Sequence, residues 1–69
     1  MPIYLARPNQ WLEIKKITGS DKVRSHLENL GFIIGESVMV ISMIDNDVIV
    51  KVKGVSLAIS RDLAKRILV

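Results

Sequence analysis

The chain has 69 residues, no cysteine, and ten Lys plus Arg against seven Asp plus Glu, for a formal charge of +3. That length holds one small domain, which hides only about 60% of the surface its unfolded chain exposes, so its core must be efficient. Without cysteine there is neither a disulfide nor a Cys-based zinc site to reinforce that core. An apolar share of 49% excludes a disordered tail. No apolar run exceeds four residues, as at Val38–Ile41, far short of the roughly 18 residues of a membrane-spanning helix. Met1 to Pro8 lacks the apolar stretch of a secretory signal. The expectation is a cytoplasmic domain. The basic excess is mild and spread over both halves, so it permits contact with phosphate or an acidic protein surface and dictates neither.

Pro8-Asn9 is the first turn signal. From Trp11 to Ile17, Trp11, Glu13 and Lys15 alternate with Leu12, Ile14 and Lys16, which predicts one short strand. Thr18-Gly19 breaks it. Ser20 or Asp21 then caps a helix whose apolar stripe is Val23, Leu27 and Leu30, and Gly31 ends it. Phe32-Ile33-Ile34 leads into a turn at Gly35-Glu36. Glu36 to Ile44 predicts a strand dense in Val, Ile and Met.

Asp45-Asn46-Asp47 reads as a three-residue hairpin loop. Val48, Val50 and Val52 then alternate with Ile49, Lys51 and Lys53, a period of two. The expected register sets Val38, Val40 and Ile44 against Val52, Val50 and Val48 in the core. Met39, Ile41 and Met43 then face outward with Ile49, Lys51 and Lys53. A two-residue loop would flip one strand relative to the other. Gly54-Val55 predicts the next hairpin turn, and Leu57 and Ile59 continue the inward face. Ser60 caps a last helical turn, Arg61 to Ile67, with Leu63 and Ile67 facing in. Leu68-Val69 is placed as a closing strand. Several short strands around one helix predict a mainly β, partly closed barrel, since closure protects strand edges.

Catalytic patterns are missing. The single histidine, His26, has Lys22 and Leu30 at i−4 and i+4, so no helical metal pair exists, and Ser25 beside it points to another side of the helix. Asp45 and Asp47 are too few oxygens for a calcium loop, and the glycines form no phosphate-cradling run. Lys51, Lys53, Arg61, Lys65 and Arg66 offer a basic strip for nucleic acid. Single-strand binders usually add aromatic stacking platforms, and here Trp11 and Phe32 read as core or turn residues with Tyr4 in the N-terminal arm. More weight falls on Met39, Ile41, Met43 and Ile49, apolar where a solvated barrel wants polar residues. Either Ile3, Tyr4 and Leu5 of the N-terminal arm fold over them, or they form a docking patch.

The run Leu27-Glu28-Asn29-Leu30-Gly31-Phe32-Ile33-Ile34-Gly35-Glu36-Ser37-Val38-Met39-Val40 resembles the LxxLGhxxGxxVxV core of FeoA-like proteins, where h is apolar. Val48 to Gly54, followed by Leu57 to Ala64, is similar to the second half of that pattern. The resemblance spans roughly residues 12–69. It departs at Asn9, where the family often has glycine, at Ile34, where it has proline, and in a shorter hairpin loop. Ile49 replaces a commonly charged residue.

The resemblance implies one SH3-like domain over residues 1–69, with one α-helix between the first and second strands and a short C-terminal helical turn. It implies a non-enzymatic accessory of bacterial ferrous iron uptake; the family is often described as binding transition metal ions, but the residues here offer no ligand set, so neither a cofactor nor a metal site of its own is expected. The expected partner is the cytoplasmic side of a FeoB-type GTP-binding permease, which would recruit the chain to the inner face of the membrane. The partner-binding residues would be Met39, Ile41, Met43, Ile49, Lys51 and Lys53. Similar domains also close metal-dependent transcriptional regulators. Two alternatives stay open: a basic nucleic-acid-binding barrel, and a direct ferrous or transition-metal-binding module using His26 with Asp21 or Glu28.

Overall fold

The computed structural model describes all 69 residues. The elements in order are a 3₁₀ turn (Ile3–Leu5), β1 (Trp11–Glu13), β2 (Lys16–Ile17), α1 (Asp21–Asn29), β3 (Ser37–Ile44), β4 (Asp47–Val52), β5 (Val55–Ser60), α2 (Arg61–Ala64) and β6 (Ile67–Leu68). Strands β1-β3-β4-β5 form one antiparallel sheet, and β2-β6 form a second. Between them lies a core of 14 buried apolar residues, with no buried polar side chain. Phe32, Ile3, Ile14, Leu27 and Ile67 are its largest fully buried members.

The single strand expected over Trp11–Ile17 is two strands, one in each sheet. Ile14 makes the corner. Its N–H donates to the Glu36 carbonyl at 2.9 Å and its carbonyl accepts from Gly35 at 2.8 Å, while the next amide, Lys15, already donates to Leu68 at 2.7 Å. Leu12 and Ile14 turn inward in one phase and Ile17 in the other, so period-two patterning cannot run through the bend.

Helix α1 begins at Ser20, whose hydroxyl accepts from the Val23 amide at 3.2 Å. Asp21 in the first turn suits the positive end of the helix dipole and pairs with Arg24. The helix ends in a Schellman motif: Gly31 donates to Glu28 at 2.9 Å and Phe32 to Leu27 at 3.0 Å, with Gly31 at φ 108. That turn drives Phe32 into the core beside Leu27 and swings Leu30 out. Leu30, expected on the buried stripe, is therefore exposed, as are Ile33 and Ile34.

The hairpin β3–β4 corrects the expected loop. Ile44 pairs with Asp47, so the loop is the two residues Asp45-Asn46, with Asp45 at φ 52. Val38 nevertheless lies opposite Val52 and Val40 opposite Val50, as expected. A bulge between Val40 and Ser42 reconciles the two, because Ile41 is one residue too many. Beyond the bulge the faces are exchanged. Met43, expected outward, lies opposite buried Val48, and Ile44, expected inward, is exposed opposite Asp47. The next turn also sits one residue earlier than expected: Val52 pairs with Val55 around Lys53-Gly54, at φ 50 and φ 76. Positive φ at both central residues is the type I′ pattern that matches strand twist.

The N-terminal arm closes the far end of the barrel and does not lie over the hairpin. Ile3 is fully buried, the 3₁₀ turn packs on α2, and Pro2 bridges to Leu68. The Val69 amide donates to the Met1 carbonyl at 2.8 Å, and the Met1 amino group donates to the Val69 carbonyl at 3.0 Å. The closing strand is β6, one residue earlier than expected.

Two predictions follow from the hairpin. Deleting Ile41 removes the bulge but leaves Val40 opposite Val50 and Val38 opposite Val52; urea denaturation followed by circular dichroism should keep a cooperative transition, lowered by about 1–3 kcal/mol as the sheet loses the extra bend and twist. Lys53→Asn keeps the left-handed turn with a residue that tolerates it, and should raise unfolding free energy by about 1 kcal/mol in the same assay.

Candidate functional site

Sheet pairing sets which side chains share the outward face. Directly opposed residues lie on one side of a sheet, and Trp11, Met39, Lys51 and Ser56 form one such row across β1, β3, β4 and β5. Ser42, Ile49 and Ala58 form the next. The extra residue Ile41 stands beside Ser42, both against Ile49, as a two-against-one bulge requires. The alternate rows, Val38-Val52 and Val40-Val50-Leu57, point into the barrel.

Four of the six residues expected in the docking patch thus come together: Met39, Ile41, Ile49 and Lys51. Each is partly exposed, so the patch is a wall of the sheet that solvent reaches. Two do not join them. Met43 belongs to the opposite face near the hairpin tip. Lys53 sits in the β4–β5 turn, its stem near Gly31 and its ammonium 3.8 Å from a Glu36 carboxylate oxygen.

Trp11 is the residue that the sequence reading misplaced. It is neither core nor turn: it is 53% exposed and lies opposite Met39. The signal was present, because Trp11 shares the phase of Glu13, whose outward position a carboxylate dictates. A face with an indole, a thioether, two isoleucines and one lysine is an apolar surface with a basic edge. Tryptophan and methionine are enriched where proteins touch.

A second apolar surface was not anticipated. Between α1 and the Phe32–Gly35 turn runs an open groove of about 470 Å³, with Ile17, Ile33 and Ile34 along it and Asp21, Arg24, Ser25 and Glu28 on the helix side. Its origin is the Schellman turn, which spends Phe32 on the core and leaves the two isoleucines outside.

The basic strip is dispersed. Lys53 faces Glu36, Lys65 is 3.9 Å from Asp62, and the Arg61 guanidinium lies over the Tyr4 ring, 5.9 Å from its centre. Nor do the groups of the metal alternative converge. His26 is an exposed residue of α1, Asp21 is engaged by Arg24, and nowhere do three His, Cys, Asp or Glu side chains gather as a metal site would need. No helix is long and apolar enough to cross a membrane.

Two small antiparallel sheets closed by the ends of the chain, with a helix inserted after the first strands, make an SH3-like barrel. The FeoA domain family model matches residues 1–69, and the chain belongs to that family. Among solved structures it is similar to an iron uptake regulatory protein, FeoA, at 26% identity and a TM-score of 0.88, covering 97% of this chain and 91% of that one. It is also similar to Stenotrophomonas maltophilia FeoA complexed with zinc, described as a unique prokaryotic SH3 domain protein, at 20% identity and TM-score 0.84, covering 99% and 87%. A third is iron(II) transport protein A from Clostridium thermocellum, at 20% identity and TM-score 0.89, covering 99% of this chain and 43% of that one. None of the curated proteins compared with the sequence matches it.

Because the outward side chains are only partly buried, charge should be tolerated there. Met39→Asp and Ile49→Asp are each expected to cost about 1 kcal/mol or less in urea denaturation, whereas Val40→Asp should abolish folding.

Proposed function

We propose that this chain is a binding accessory of ferrous iron uptake that docks on the cytoplasmic, GTP-binding part of a FeoB-type permease and regulates or assembles it, without chemistry of its own. The observation that carries this reading is the outward face of the sheet, where Trp11, Met39, Ile41, Ile49 and Lys51 form one apolar surface on a FeoA scaffold. Contiguous apolar surface on a small domain is expensive unless something covers it. The names of its structural relatives, an iron uptake regulatory protein and an iron(II) transport protein, support the pathway. In this reading the chain works in the cytoplasm, held at the inner face of the membrane by its partner. Iron is the cargo of the permease and not a ligand of this barrel.

The energetic logic is that of a small interface with a few anchors. Trp11 and Met39 would supply most of the buried area, and Lys51 would set orientation against an acidic patch. The direct test uses the single tryptophan. The isolated cytoplasmic domain of the permease, loaded with GDP or a GTP analogue, is titrated into this chain while Trp11 emission is followed. A saturable change is expected. Met39→Asp should weaken it at least about tenfold, equivalent to ~1.4 kcal/mol. Lys51→Glu should weaken it and flatten its salt dependence. No saturable change in either nucleotide state, confirmed by calorimetry, would sink the proposal.

A further inference from the structure

The fold leaves one long sheet edge open. Strand β5, Val55–Ser60, is the terminal strand of the four-stranded sheet, with β4 on one side and no strand on the other. Its phase is fixed at the end of the strand, where the Arg61 amide donates to the Asn46 carbonyl at 2.9 Å. Backbone groups alternate along a strand, so those of Val55, Leu57 and Ile59 point to β4, and those of Ser56, Ala58 and Ser60 point away. The outward groups take no part in the turn, loop and cap hydrogen bonds of the chain, except that the Ser60 carbonyl begins α2.

Folded proteins usually blunt such an edge with lysine, proline, a bulge or a covering segment. Val55-Ser56-Leu57-Ala58-Ile59-Ser60 has none of the first two, and it pairs with β4 over six residues without a register shift. The opposite edge, β1, is only three residues long.

We propose that β5 pairs antiparallel with β5 of a second copy of this chain, about a twofold axis at Ala58. Three features select this occupant and register. Setting Ala58 against Ala58 joins outward face to outward face, because opposed residues must have the same phase. It gives the outward N–H groups of Ala58 and Ser60 acceptors, Ala58 to Ala58 and Ser60 to Ser56, each made twice by symmetry, and leaves the Ser60 carbonyl to α2. An axis at Leu57 would strand the Ser60 N–H. Finally, the Ala58 register brings the Lys53-Gly54 turn of one copy to the start of α2 in the other, where Asp62 is exposed. Lysine then meets aspartate at both ends. On the outward face the meeting side chains are Ser, Ala and Ser, small enough to leave the backbones in contact. The product is one continuous eight-stranded sheet with two apolar faces side by side. This pairing does not depend on the iron-transport reading.

One strand pair is a small interface, so association should be weak and visible only as protein concentration rises. Sedimentation equilibrium from about 10 μM to about 1 mM should resolve a monomer–dimer equilibrium, the regime of interfaces below standard size. Ala58→Pro removes only an N–H that faces away from β4, which an edge strand tolerates. It should weaken the dimer about tenfold or more, since two intermolecular bonds vanish together. Ala58→Lys, on an exposed position, should do the same by facing two ammonium groups about 5.5 Å apart at the backbone. Circular dichroism should be unchanged in both.

The register has its own test in a chain with no native cysteine. Ala58→Cys should form a disulfide-linked dimer under mild oxidation. Ser56→Cys should not, because its symmetry mate lies about 14 Å away, beyond disulfide reach. A monomer at every concentration overturns the proposal, as does a dimer that both Ala58 substitutions leave intact. Cross-linking of Ser56→Cys as readily as Ala58→Cys overturns it too.

Discussion

A bulge of one residue decides what this sheet is. The short Asp45-Asn46 turn pairs Ile44 with Asp47, and carried down the hairpin that register would set Val40 against Lys51 of β4 and Val38 against Lys53 of the next turn. Ile41 shifts the count by one, and valine meets valine instead. Everything downstream uses that shift. The inward rows of β3 and β4 become wholly apolar, Leu57 and Ile59 of β5 extend them, and Phe32 and Leu27 have a wall to pack on. The outward row becomes Trp11, Met39 and Lys51. Core and surface are thus two results of one irregularity, which also bends and twists the sheet as a barrel needs.

Much of this was legible in the sequence because it is local. Ser20, Ser60, Gly31 and Asn9 sit where a cap or a left-handed turn is required, and each does that work. The valines of β4 gave the strand and its inward face. The overall architecture was legible through the family pattern, whose spacing of glycines and valines is the spacing of these turns and rows.

What escaped the sequence was non-local. A bulge leaves no mark in a run as uniform as Val38 to Ile44, since every residue there suits either face. A three-residue loop without a bulge therefore looked equivalent to a two-residue loop with one, and Met43 and Ile44 were exchanged. The corner at Ile14 was hidden because both halves of the strand alternate, out of step with each other. Leu30 looked like the third rung of a stripe, but the Schellman turn gave its place to Phe32. Trp11 was misplaced by residue type, although its phase with Glu13 pointed outward.

The two ends of the chain are joined through paired backbone bonds between Met1 and Val69 and a bridge from Pro2 to Leu68. For a ribosome this geometry means delay. The second sheet needs β6, the last strand to emerge, and until then Ile3, Ile14 and Ile17 lack the surface that buries them. The hairpin and β5 are complete earlier, with their valines uncovered. The nascent domain therefore passes through a stage in which its most apolar sheet is built and its closing strand is still in the exit tunnel. Folding is completed in one late step, when β6 clears the tunnel and pairs with β2.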